Sequence, residues 1–91
     1  RRLPTRHFLV LVARDSSLVT RLGVTVTRKI GNAVTRNRVK RSVREVFRRH
    51  KVDVPRGDSV VIARTGAGAL SYDGAAEELL RSWSRASHGR P

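Results

Sequence analysis

Cysteine is absent from the 91 residues, so neither a disulfide framework nor a thiolate metal site can stabilise the chain. Such usage suits a reducing compartment, and a cytoplasmic location is the expectation. Acids are nearly as scarce: Asp15, Glu45, Asp53, Asp58, Asp73, Glu77 and Glu78 are all there are. Two-metal hydrolysis of a phosphodiester needs several carboxylates converging on ions roughly 4 Å apart. Glu77 and Glu78 are adjacent on an expected helix and diverge by about 100°. His7, His50 and His88 form no local pair, and His50 falls on an apolar stripe, where it reads as a packed helix-end residue. No protein active site, no metal site and no small-molecule substrate are expected. Only Phe8, Phe47, Tyr72 and Trp83 are aromatic, so platforms for base stacking are few. No apolar run reaches the roughly 18 residues of a membrane span, and no secretory hydrophobic region is visible.

What the chain does have is positive charge. Its formal net charge is +13, and 20 residues are Lys or Arg. Seventeen of these are Arg, the side chain that forks onto phosphate and stacks on bases. A field of this size implies nucleic acid or an anionic membrane as partner. Ten of the cations fall between Arg28 and Lys51, with Glu45 as the only acid among them. The chain opens at Arg1 without a methionine, and a processed or truncated chain is the expectation.

The length fits a single domain over residues 1–91, with an ordered core at about 6–86. His7 to Ala13 is a continuous apolar run of strand length, suited to a central strand. The segment Arg14-Asp15-Ser16-Ser17 reads as a turn. Leu22 to Thr27 alternates strictly, with Leu22, Val24 and Val26 on one face. It predicts a half-exposed strand antiparallel to the first. Val60 to Ala63 predicts a third strand, followed by a loop over residues 65–69. Val39, Val43, Val46 and Phe47 make one helical stripe. Tyr72, Ala76, Leu79, Leu80 and Trp83 make another, with Ser71 able to cap its start. His88 to Pro91 reads as a frayed tail. The order strand-strand-helix-strand-helix predicts an α+β fold, a small α/β sandwich with two helices on one face of a mixed sheet of three to four strands. A right-handed crossover is the default.

On a helical projection of residues 36–51, the valines, Phe47 and His50 share one arc. Lys40, Arg41, Arg44, Arg48 and Lys51 share the opposite arc with Asn37. One side anchors the helix, and the other offers a cationic rail with a turn-to-turn spacing of roughly 5–6 Å that can meet successive phosphates. A solvated helix face would mix its signs, whereas Lys40, Arg44 and Arg48 repel one another at four-residue spacing. Arg36 falls near the apolar arc. Either the helix begins at about Asn37, or Arg36 is directed into a groove between helix and sheet. Asn37 can contact a base edge or cap the helix; Asn32 reads more readily as a cap.

The ordered residues KIGNAVTRNRVKRSVR at positions 29–44 resemble the conserved motif of the bacterial ribonuclease P protein subunit, with its Arg36-Asn37-Arg38 core. The Phe8 strand, the Gly23-Val24-Thr25-Val26 strand before the motif and the Asp58 to Arg64 strand after it agree, and the similarity spans essentially residues 6–85. It implies a left-handed crossover, against the default. It also implies partnership with a large catalytic RNA and with precursor tRNA, whose 5′ leader the holoenzyme, an endoribonuclease, removes by hydrolysing one phosphodiester bond. The RNA and its Mg²⁺ ions carry the chemistry. The protein is then an accessory subunit, expected as a monomer bound 1:1 to the RNA.

Carried onto this sequence, the resemblance places RNA contacts at Arg28, Lys29, Asn32, Arg36, Asn37, Arg38, Lys40, Arg41, Arg44 and Arg48. A leader cleft would use Leu9 and Leu11 for apolar contact and Asn37, Lys40 and Arg44 for the backbone. Family members carry a helix before the first strand whose aromatics help line this cleft. Here that helix is expected to be absent, the cleft open on one side, and Leu11 to stand where an aromatic is often found. A generic structural RNA-binding module shares the charge and size but not the motif order. A stand-alone nuclease lacks its carboxylates, and a membrane binder would need larger apolar residues opposite the rail.

Overall fold

Four strands form one mixed sheet: β1 (Arg2–Pro4), β2 (Phe8–Arg14), β3 (Thr20–Thr25) and β4 (Gly57–Ala63), in the order β1-β2-β4-β3. The computed structural model describes residues 1–14 and 19–88, without the side chain of His88, so Asp15, Ser16 and Ser17 of the expected turn lie outside the described residues. β2 pairs antiparallel with β1 and with β4, while β3 runs parallel to β4. The expected strand at Leu22–Thr27 therefore starts two residues earlier and does not lie beside β2. β4 separates them, since its Val60-Val61-Ile62 run suits the strand with neighbours on both sides.

The two helices are α1 (Ala33–Arg49) and α2 (Tyr72–His88). α1 connects the parallel neighbours β3 and β4. It begins at Ala33 rather than Asn37, because Asn32 caps it: the Asn32 side chain accepts from the Thr35 amide at 2.9 Å. Asn37 is thereby an exposed helical residue, not a cap. Ser71 Oγ accepts from the Gly74 amide at 3.1 Å at the start of α2, as its position predicted. His88 belongs to α2 rather than to a tail, and Gly89, Arg90 and Pro91 of the expected tail lie outside the described residues.

Both helices cover one face of the sheet. Val10 and Val61 are cross-strand partners, as are Val24 and Val61, and with Phe8 and Val12 they meet Val39, Val43 and Val46 of α1 and Leu79 and Trp83 of α2. The Phe47 and Trp83 rings meet edge to face with centroids 6.2 Å apart, tying the helices together. Leu3 of β1 is buried at 1% exposure, so the core reaches ahead of residue 6.

Strand alternation sends the other side chains to the opposite face. There Leu9 pairs with Ile62, and Val60 lies between Leu11 and Gly23. Leu9, Leu11, Val60 and Ile62 are all half-buried and stand outside the core cluster. An Arg21–Asp58 ion pair closes this face at one end.

Candidate nucleic-acid interface

The cationic side of α1 follows from its sequence. Three valines fix which face is buried, and the positions on the opposite side must then point outward. Asn37, Lys40, Arg41, Arg44, Glu45 and Arg48 line one open depression of about 370 Å³ on that side. A second, of about 300 Å³, adjoins it between Val34, Asn37, Arg38 and Arg41. The side chains of Asn37, Lys40, Arg41 and Arg44 make no hydrogen bond or ion pair among the described residues. Val34, which the sequence reading passed over, is 77% exposed beside them. It follows Asn32 by two residues, and only the cap that sets the helix start reveals its face.

Other cations are engaged. Glu45 takes Arg48 through Nε at 3.1 Å and Nη2 at 2.5 Å, and Arg49 through Nε at 2.8 Å. The hydrogen bonds from Arg48 and then Arg49 hold the Glu45 carboxyl at about 2, well below the usual carboxylate range. The same bond raises Arg48 further above its ordinary value. Arg48 thus belongs to the rail by position but is partly neutralised. Arg49 also stacks over the Tyr72 ring, 5.6 Å from its centroid.

The three motif residues Arg36, Asn37 and Arg38 have three different environments. Arg36 is half-buried, and its Nε has no partner, which matches the groove position rather than the rail. Asn37 is exposed. Arg38 Nη2 donates to the Gly68 carbonyl, binding α1 to the short 3-10 turn Ala67–Ala69. Glycine is required at that turn: a Cβ on Gly68 would stand 2.9 Å from the Ile30 carbonyl oxygen and 2.9 Å from Thr35 Cγ2. Arg28 and Lys29 are exposed on the 3-10 turn Arg28–Ile30 just ahead of Asn32, whose side-chain oxygen is used in capping.

Leu9 and Leu11 lie on the sheet face turned away from the helical layer, whereas Asn37, Lys40 and Arg44 lie along α1, which packs against the edge strand β3. The sequence reading also passed over Arg6 and Arg64. Together with Lys29 they line a cavity of about 290 Å³ at the end of the sheet. Their signal was hidden because they stand in three separate segments.

The carboxylates are dispersed. Asp58 pairs with Arg21, Glu77 with Arg81, Glu45 with two arginines, and Glu78 with Thr5 and His7. Among the described residues, no group of three His, Cys, Asp or Glu side chains could hold a metal ion. Among the described residues, no helix is long and apolar enough to cross a membrane.

A mixed sheet backed by two helices, one of them carrying a largely unneutralised cationic face, defines a small α+β protein with a surface suited to nucleic acid. Comparison with known proteins narrows the class. The sequence model of the family described as Ribonuclease P matches residues 1–87, and the chain belongs to that family. It is 39% identical over 84 residues to the ribonuclease P protein component of Geobacter sp. (strain M21), covering 92% of this chain and 72% of that protein. The solved RNase P protein from Thermotoga maritima superposes with a TM-score of 0.85 at 38% identity, over 93% of this chain and 82% of that one. That from Staphylococcus aureus gives 0.83 at 33% identity, over 94% and 80%.

Proposed function

We propose that the chain acts as the protein subunit of ribonuclease P, binding the catalytic RNA and the 5′ leader of precursor tRNA and assisting removal of that leader. The observation that carries this reading is the run of unpartnered side chains Asn37, Lys40, Arg41 and Arg44 on one face of α1, within a chain of that family. Cations at this spacing displace counterions from a phosphate backbone, so binding should weaken steeply with salt. Arg28, Lys29 and Arg38 extend the same basic surface, Arg48 contributes what Glu45 leaves it, and Arg36 and Asn32 shape the helix that presents the rest.

Leader recognition would use Leu9 and Leu11 on the open sheet face for apolar contact, and Asn37, Lys40 and Arg44 for the backbone. Mg²⁺ belongs, in this reading, to the RNA and its substrate. The protein's carboxylates fit that division, since each ion-paired one already faces an Arg or His of the same chain. The protein would contribute binding and orientation, not a reacting group, as one copy per RNA.

The test is reconstitution. Adding the protein to a bacterial ribonuclease P RNA at low Mg²⁺ is expected to rescue correct 5′ cleavage of precursor tRNA. Cleavage by protein alone, or binding without rescue, would overturn the reading. Replacing Lys40 and Arg44 with Gln should weaken precursor tRNA more than mature tRNA; equal losses would remove these residues from the leader cleft.

A further inference from the structure

The turn between β1 and β2, Thr5-Arg6-His7, is held on two sides. From α2, Glu78 reaches it with both carboxylate oxygens: Oε1 accepts from Thr5 Oγ1 at 2.6 Å and from the His7 amide at 2.9 Å, and Oε2 meets His7 Nδ1 at 2.5 Å. From the end of β4, the Arg64 amide donates to the His7 carbonyl at 2.8 Å and Arg64 Nη1 to the Thr5 carbonyl at 2.7 Å. Gly66, with φ of 95°, lies so close that a Cβ there would stand 3.2 Å from the His7 ring. The backbone of the turn is thus bound at Thr5 and His7, and only the side chain between them, Arg6, is left without a hydrogen bond or ion pair among the described residues.

Arg6 lines the cavity of about 290 Å³ with Thr27, Lys29, Ile30, Ala63, Arg64 and Thr65. Three cations and two hydroxyls come together there, and among the described residues no carboxylate lines the space. Some arginines elsewhere are neutralised by acids, Arg21 by Asp58, Arg48 and Arg49 by Glu45, and Arg81 by Glu77, whereas these three cations, like Arg41 and Arg44 of α1, pair with no carboxylate among the described residues. Three like charges that converge from three segments, beside a turn tied to α2 across 71 residues of sequence, repel one another, and a bound anion relieves that repulsion.

We infer that Arg6, Lys29 and Arg64 form a phosphate-binding site for an RNA strand, separate from the α1 rail, and that Glu78 is the residue that positions Arg6 within it. The inference rests on the RNA-binding reading above. Its ligand is a phosphodiester group, supplied either by the catalytic RNA or by the precursor leader. The cations neutralise its charge, the Thr27 and Thr65 hydroxyls can donate to its oxygens, and the clamp holds the backbone at Arg6 in place, so that only its side chain has to be ordered.

The experiment uses the full chain in two arms: salt-dependent affinity of the protein for ribonuclease P RNA, and salt-dependent affinity of the reconstituted holoenzyme for precursor and for leaderless tRNA. Arg6 and Lys29 are exposed, so R6Q and K29Q leave the core intact. Each is expected to reduce the slope of log affinity against log salt by roughly 0.7 to 1. A change in the first arm assigns the phosphate to the catalytic RNA; one confined to precursor tRNA assigns it to the leader. Unchanged slopes in both arms overturn the site. The K40Q/R44Q variant runs alongside: its loss of binding with no effect of R6Q, the cation that the main reading does not use, would sink this site and leave that reading standing. E78Q is expected to lower affinity, and R6Q/E78Q to lose no more than R6Q alone. Additive losses would make Glu78 a structural residue only.

Discussion

α1 and α2 have the same length, 17 residues each, and lie on the same sheet face, yet their chemistry is opposite. α1 anchors through three buried valines and carries seven Lys or Arg against one acid; no acid stands in its first turn, where the helix dipole would favour one. α2 buries Trp83 and Leu79 completely, starts with Asp73 in the favoured position, and directs Glu78 onto the neighbouring turn. α2 therefore supplies the two largest side chains that the helices bury completely, and α1 turns most of its surface to unneutralised charge. Stability and binding have been placed on different elements, so mutations should separate them.

The largest break in this comparison is Trp83→Ala. Trp83 is fully buried and touches Phe47, so its removal should cost about 3–5 kcal/mol by chemical denaturation. K40Q/R44Q should instead leave the denaturation midpoint unchanged or raise it, by removing like charges four residues apart. A stability loss for the double variant comparable to that of Trp83→Ala would remove the division of labour.

Second is the Glu78 clamp. Burial opposes ionisation of Glu78 most strongly, but hydrogen bonds from Thr5, from the His7 ring and from the His7 amide, with the His7 charge, together hold its carboxyl below the ordinary value of 4.5. The folded state thus binds this proton less readily than the unfolded chain. The resulting stability is present above about pH 4.5 and is lost as pH falls through the lower folded value. Glu78→Gln should cost about 1.5–3 kcal/mol at pH 6. Melting curves should show the difference from the parent narrowing below about pH 4.5; a difference that persists unchanged to pH 3 would mean that the clamp does not depend on ionised Glu78.

The sequence made the anchors and caps readable, because each is local. Val39, Val43 and Val46 declare α1 by their spacing, and Ser71 and Asn32 are cap residues in cap positions. The strand order was not readable: β4 enters between β2 and β3, a pairing across more than thirty residues that depends on which strand is apolar on both faces. β1 has three residues, too few for any periodicity, and exists as a strand because β2 offers it an edge. At the candidate interface the α1 rail was legible for the same local reason. Arg6, Arg64 and Glu78 were not, since the fold alone brings their segments together. Arg36 looked anomalous on a helical wheel; its half-buried place, with the aliphatic stem available to pack, resolves the anomaly.

Third, Asn32→Ala removes the oxygen that accepts from the Thr35 amide and should cost about 0.5–2 kcal/mol. It also tests whether the helix start aligns the rail, since fraying there moves Val34 and Asn37 but not Arg44. RNA affinity should fall more for Asn32→Ala than for a core substitution of equal stability cost.

The smallest effect expected, and the sharpest for the comparison, is Glu45→Gln. Glu45 is the one acid on α1, and it holds Arg48 and Arg49. Both ion pairs are solvent-exposed and contribute little to stability, so the denaturation midpoint should hardly move. Binding should respond instead. Freed of its carboxylate, Arg48 joins Lys40, Arg41 and Arg44 as a further cation on the same side, and the slope of log affinity against log salt should steepen by up to roughly 0.7 to 1. A tighter, more salt-sensitive variant would show that Glu45 limits how much phosphate the helix engages. Weaker binding would show the reverse: that Glu45 fixes Arg48 and Arg49 where the RNA needs them, and that α1 is preorganised by its own acid as the β1–β2 turn is by Glu78.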